Sequence, residues 1–121
     1  RLEVIRPGYI FVTYPKICLP ESIDEFYPRF IEALKNQPEK SCVIGDLSPI
    51  ERAPFKTALR GVYWMQQSKP YLKRTAGFGA HPLFENIVRS VLLMSGRDDI
   101  RIFKTRAEAE EWAFRDIKNS S

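Results

Sequence analysis

Apolar and polar positions change period several times along the chain, and each change marks an element. Leu2-Glu3-Val4-Ile5 alternates and runs into Pro7-Gly8; Tyr9-Ile10-Phe11-Val12-Thr13-Tyr14 follows and stops at Pro15. Two β-rich runs around a Gly-containing turn predict a hairpin, with Leu2, Val4, Ile10 and Val12 on one apolar face. Ser22-Ile23-Asp24-Glu25 has the form of a capping box. Ile23, Phe26, Phe30, Ile31 and Leu34 then recur at helical spacing. Pro28 interrupts them. The spacing predicts one kinked helix from Ser22 to near Asn36, stopped by Pro38; a separate turn at 22–27 with a helix from Pro28 is the alternative.

Residues 40–46 carry the uncharged run Cys42-Val43-Ile44 and read as a strand covered on both faces, ending at Gly45-Asp46. Ser48-Pro49-Ile50-Glu51 is a second capping box, although Pro54 offers a later helix start. In either case Phe55, Leu59, Val62 and Tyr63 are the expected buried stripe, running to about Lys69, with Pro70 as the stop. A strand is predicted over 74–78, then a turn at Gly79-Ala80-His81-Pro82. A third helix buries Phe84, Ile87, Val88, Val91 and Leu92 and ends at Ser95-Gly96. Ile100-Arg101-Ile102-Phe103 is a short last strand. Thr105-Arg106-Ala107-Glu108 caps a last helix carrying Ala109, Trp112, Ala113, Asp116 and Ile117, with fraying expected from about Lys118.

The order is ββαβαβαβα. It predicts an α/β fold in a single domain over residues 1–121: a mostly parallel mixed sheet of about five strands flanked by four helices, with the hairpin as its antiparallel edge. The Cys42–Ile44 strand should be interior. Its loop into the next helix lies at the carboxyl edge of the sheet, where such folds bind ligands.

Composition adds exclusions. The chain has 121 residues, 44% hydrophobic and 28% charged, a globular balance. A net charge of +4 is too small to argue nucleic-acid binding by itself, since a dedicated binder usually shows a clustered basic face. Cys18 and Cys42 sit among apolar residues and read as reduced structural thiols. No apolar run approaches the ~18 residues of a membrane span. No signal peptide is visible; the chain begins at Arg1, so removal of residues upstream stays open. A cytoplasmic location is the expectation.

Candidate chemistry is sparse. Arg52, Lys56 and Arg60 recur every four residues beside Ser48 and a helix N-terminus. They suit an acidic partner or a phosphate-bearing ligand, or form a solvated face. His81, the single histidine, sits in a loop at the same edge as Asp46. No nucleophile accompanies it in sequence, so a loop or capping role is the simpler reading. Metal-ligand spacing is lacking and no cofactor is expected. Gly77-Phe78-Gly79 lacks the third glycine of a dinucleotide fingerprint; close approach or positive φ explains it more simply. Tyr63, Trp64 and Met65 are adjacent and cannot all face one core; Trp64 is expected near the surface. Phe26, Phe30, Phe84 and Leu92 are placed to line an apolar cavity or to fill it.

Three segments resemble the STAS domain, whose founding members are bacterial anti-sigma-factor antagonists, and more distantly the CRAL-TRIO lipid-binding domains. They are Val43-Ile44-Gly45-Asp46-Leu47-Ser48, Leu72-Lys73-Arg74-Thr75-Ala76-Gly77-Phe78-Gly79, and the run Ile100-Arg101-Ile102-Phe103-Lys104-Thr105-Arg106-Ala107-Glu108-Ala109-Glu110-Glu111-Trp112. The resemblance implies a non-catalytic regulatory or protein-interaction module of the bacterial cytoplasm, with a protein partner or a homodimer. The CRAL-TRIO likeness implies, as the alternative, a small lipid- or metabolite-binding domain. The antagonists' phosphorylated Asp-Ser-Ser-Gly-like motif is replaced here by Glu51-Arg52-Ala53-Pro54-Phe55-Lys56-Thr57, leaving Ser48 and Thr57 as weak substitutes. The expected working surface is therefore Asp46, Ser48, Arg52, Lys56, Arg60 and His81.

Overall fold

The computed structural model describes residues 1–119; Ser120 and Ser121 lie outside the described residues. The elements run β1 (Leu2–Arg6), β2 (Tyr9–Thr13), α1 (Pro20–Lys35), β3 (Ser41–Asp46), α2 (Phe55–Ser68), a single 3-10 turn (Lys69–Tyr71), β4 (Leu72–Phe78), α3 (Pro82–Ser95), β5 (Ile100–Phe103) and α4 (Arg106–Asn119). The fold is α/β, with five strands and four helices among the described residues. The sheet is mixed, in the order β1-β2-β3-β4-β5. β1 and β2 pair antiparallel across the turn at Gly8 (φ 84°), and the pairs from β2 to β5 are parallel.

A sheet whose parallel strands follow chain order, joined by right-handed crossovers, receives all its crossover helices on one face. That is the arrangement here. Ile10, Val12 and Val43 pack with Ile23, Tyr27 and Phe30 of α1, and Trp64 of α2 joins that cluster. The residues between them in sequence point the other way: Tyr9, Phe11, Cys42 and Ile44 pack with Ala109, Trp112 and Ala113 of α4. β3 is thus buried on both faces, as its uncharged run predicts.

The two helical layers stand at different heights. Ala109 and Ala113 let α4 come down onto the sheet, close enough for Cys42 Sγ to donate to the Ala113 carbonyl at 3.3 Å. On the opposite face the spacers are the rings of Tyr27, Phe30 and Trp64.

Several helix starts differ from expectation. α1 begins at Pro20, with Leu19 preceding it and no side-chain cap. Proline's fixed φ suits a first helical position, so Ser22 falls inside the first turn and its capping box does not form. Pro28 lies within one continuous helix on its exposed side. α2 begins after Pro54, because the Ser48 N–H and hydroxyl both bond Asp46 Oδ1, at 3.0 and 2.6 Å. The Ser48 N–H that a capping box would give to the Glu51 side chain is instead bonded in an aspartate turn. Two ends follow the sequence closely: Gly96 closes α3 at φ 69°, and Thr105 and Glu108 form a reciprocal box at the start of α4, with bonds of 3.2 and 3.3 Å.

The largest correction concerns the rotation of α2. Phe55, Leu59 and Tyr63 are exposed at 67, 47 and 43%. The side turned inward carries Thr57, Ala58, Gly61 and Met65 instead. Trp64 is half-buried and turned toward α1 rather than free on the surface. It stacks on Tyr27 with ring centroids 5.8 Å apart and 4° between planes.

Replacing Thr105 by Ala should cost about 1 kcal/mol, since it leaves the Glu108 N–H uncapped. Trp112→Ala should cost about 3–5 kcal/mol, since Trp112 is 8% exposed and packs on Phe103. Urea melts measure both. A Trp112→Ala loss under about 1 kcal/mol would contradict the docking of α4 described here.

Candidate functional site

The raised helical layer leaves a cavity of about 190 Å³ between the sheet and α1–α3. Its floor follows one cross-strand row, Val12–Gly45–Gly77–Ile102. The two central positions are glycines for a local reason. A Cβ on Gly45 would lie 3.3 Å from Tyr14 Cε2, and one on Gly77 would lie 3.0 Å from Leu47 Cδ1. Both side chains lean over the floor and line the cavity. The roof is α2, where Gly61 behaves differently: a Cβ there meets nothing within 4 Å. Glycine inside a helix is disfavoured by about 1 kcal/mol against alanine. No close neighbour demands it at position 61, so its structural effect is to leave the space beneath α2 unfilled. Phe26, Phe30 and Leu92 line the cavity, three of the four side chains that the sequence suggests; Phe84 does not.

Polar groups reach the lining at a few points. The Tyr14 and Tyr27 hydroxyls share one hydrogen bond of 3.4 Å. Burial pushes both phenols above their ordinary value, so both keep their protons at neutral pH. On the α3–β5 side Arg97, with a side chain only 2% exposed, makes a two-pronged pair with Asp99 at 2.8 and 2.9 Å. Its other bonds go to Thr75 Oγ1 at 3.2 Å and the Met65 carbonyl at 3.3 Å. Arg97 thereby joins the C-terminal end of α2 to β4 and to the start of β5. Beside the cavity Thr57 Oγ1 donates to the Cys18 carbonyl at 2.7 Å. Burial raises the Cys18 and Cys42 thiols, so neither is a thiolate nucleophile at neutral pH.

A groove of about 150 Å³ lies outside, between α2 and α3, bordered by Phe55 and Met94. It shares Ala58, Ile87 and Val91 with the inner cavity, so these three form the partition between the two spaces.

The sequence-based site residues do not converge. Asp46 is occupied with Ser48. The Ser48 Cβ lies 3.1 Å from where a Cβ of Gly79 would stand, and Gly79 has φ 77°, which brings the β3–α2 and β4–α3 loops together. His81 caps α3 by accepting from the Leu83 N–H at 3.1 Å. No hydrogen bond joins His81 to Asp46 among the described residues. Arg52 is not on α2: residues 51–52 lie extended against 16–18, with Cys18 N–H donating to the Arg52 carbonyl at 2.9 Å. Arg60 is paired with Asp24 at 2.8 Å and covers the Tyr63 ring, which leaves Lys56 as the α2 member of the triplet turned to solvent. The three cations therefore do not form one helical face. Of the two candidate phosphorylation sites, Ser48 is exposed; Thr57 is 6% exposed with its hydroxyl bonded to Cys18.

Gly61, Arg97 and Asp24 carry the site and escaped the sequence reading. A lone mid-helix glycine was the available signal for the cavity. Arg97-Asp98-Asp99 reads as an ordinary charged turn, and nothing in its spacing indicates burial. No protein-family model and no curated protein matches the chain. Among the described residues no helix is long and apolar enough to cross a membrane, and no cluster of three His, Cys, Asp or Glu could hold a metal ion.

Asp24 gives a pH test of the α1–α2 junction. The Trp64 N–H, at 2.9 Å, and then the Arg60 guanidinium hold its carboxyl below the ordinary value. A carboxyl with a depressed folded value contributes stability above its unfolded value and loses it as pH falls through the folded one. Asp24→Leu should therefore be less stable than the parent at pH 7, and the gap should narrow as pH falls below 4. Denaturant melts at both pH values check this, and a gap independent of pH would contradict it.

Proposed function

We propose that the chain is a non-catalytic α/β binding module whose working element is the apolar cavity beneath α2, taking a small, mainly hydrocarbon ligand. The observation that carries this is the unfilled space at Gly61 over an apolar lining. The space is about 190 Å³ and partly open; an apolar occupant removes its apolar lining from water, at roughly 25 cal/mol per Å² of surface covered. Cavities near 150 Å³ hold molecules the size of benzene, so the occupant here has about eight or nine non-hydrogen atoms. The CRAL-TRIO likeness agrees with this reading, and the STAS likeness agrees with a module that binds rather than catalyses. His81 is engaged in capping α3, and both buried thiols keep their protons, which favours binding over nucleophilic chemistry at these residues.

A second reading, closer to STAS regulation, is a protein partner or second copy on the outer side of α2 and α3. Phe55, Leu83 and Leu93, exposed at 67, 78 and 84%, favour it.

Two measurements separate the readings. Cumene added to the purified protein should raise its melting temperature and shift amide resonances of α2 and of β3–β4. Gly61→Leu should keep the fold and remove both effects, whereas Gly61→Ala should gain about 0.5–1 kcal/mol of stability. Cumene shifts that survive Gly61→Leu would overturn the cavity reading. Leu83→Glu/Leu93→Glu should leave cumene binding intact. Its conversion of a dimer to a monomer in sedimentation would establish the second reading.

A further inference from the structure

Two phenols share one hydrogen bond inside the cavity, and the count of hydrogens is uneven. Tyr14 and Tyr27 each bring one O–H donor. Among the described residues their hydroxyls have only each other as hydrogen-bond partners. Whichever hydroxyl donates, the other keeps a hydrogen with no protein acceptor. Both residues line the cavity, and Tyr27 is 7% exposed. The pair is part-buried, Tyr14 half-buried and Tyr27 buried; a donor left there without an acceptor is costly, which favours an occupant that supplies one.

The charge balance limits that occupant further. Arg97 is the cation in the lining, and Asp99 already matches it with two hydrogen bonds. The guanidinium has five N–H groups, of which four are bonded to Asp99, Thr75 and the Met65 carbonyl. The remaining N–H is again a donor, and it belongs to a pair with no net charge. A carboxylate placed here would be a buried ion with no counter-ion of its own.

We infer that the cavity selects an uncharged ligand with an apolar body and one acceptor oxygen, such as a ketone or ester, held by the free O–H of the Tyr14–Tyr27 pair. This rests on the cavity reading above. The acceptor decides between ligands of equal size, and the apolar walls supply the rest of the affinity. Free fatty acids in their ionised form are excluded on charge.

Three probes of nine non-hydrogen atoms test it by calorimetry: cumene, acetophenone and benzoate. Acetophenone should bind the parent protein within about tenfold of cumene, although water solvates the ketone far better, and benzoate should bind at least tenfold more weakly than acetophenone. In Tyr14→Phe/Tyr27→Phe both partners of the hydrogen bond become apolar at nearly constant shape, a change that is close to neutral for folding. There acetophenone should weaken by about tenfold or more relative to cumene. Either single variant keeps one free hydroxyl and should retain the ketone. An unchanged acetophenone-to-cumene ratio in the double variant overturns the acceptor inference while the cavity reading stands. Benzoate binding as tightly as acetophenone overturns the uncharged class. Failure of all three probes on the parent protein removes the cavity reading and this inference with it. Should the double variant not fold, the parent-protein ratios decide alone: acetophenone binding far more weakly than cumene overturns the inference.

Discussion

Trp64 joins α2 to α1, and the height of α2 above the sheet depends on that joint. Its ring lies flat on Tyr27. Its N–H donates to Asp24, which also takes the Arg60 guanidinium. Stacking and a charge-assisted hydrogen bond thus act between the same two helices. At its C-terminal end α2 is tied through the Met65 carbonyl to Arg97. Held at both places, α2 is kept from settling onto β3 and β4. Removing either attachment is expected to affect the cavity as well as stability.

The opposite face of the sheet shows the alternative. There small residues are spent on close approach, since Ala109 and Ala113 let α4 lie against β3. On the cavity side small residues are spent on space. Gly45 and Gly77 make room for Tyr14 and Leu47 to lean inward, and Gly61 leaves the roof unfilled. The same residue class has opposite effects because aromatic rings hold one layer away while alanines bring the other near. Binding then follows from packing: a gap that the chain does not fill with its own atoms is available to a molecule of matching size and polarity.

Much of the architecture was legible in the sequence. The uncharged Cys42–Ile44 run, the Thr105–Glu108 box and the glycine at 96 each act through local chemistry and behave as read. The candidate site was hardly legible. α2 has apolar residues around most of its circumference, and helical spacing alone picks out Phe55, Leu59, Val62 and Tyr63 as one stripe. Tertiary packing chose the small ones, so Phe55, Leu59 and Tyr63 face outward. The Ser48 box failed because Asp46, two residues earlier, takes the Ser48 N–H that the box would give to Glu51, a competition that spacing alone does not rank. The basic triplet failed because its period assumes a helix at Arg52, where the chain is extended against 16–18. Arg97 was invisible because its burial depends on Asp99, Thr75 and Met65 meeting in space.

A crystal held under xenon tests most directly whether α2 stands off the sheet over an open apolar space. Xenon is apolar and polarisable, and it enters dry cavities of this size without needing a specific partner. The account requires a xenon peak beneath Gly61, over the Gly45–Gly77 floor, with Trp64 still stacked on Tyr27. Crystals with no peak there, and with α2 closed onto β3 and β4, would contradict it.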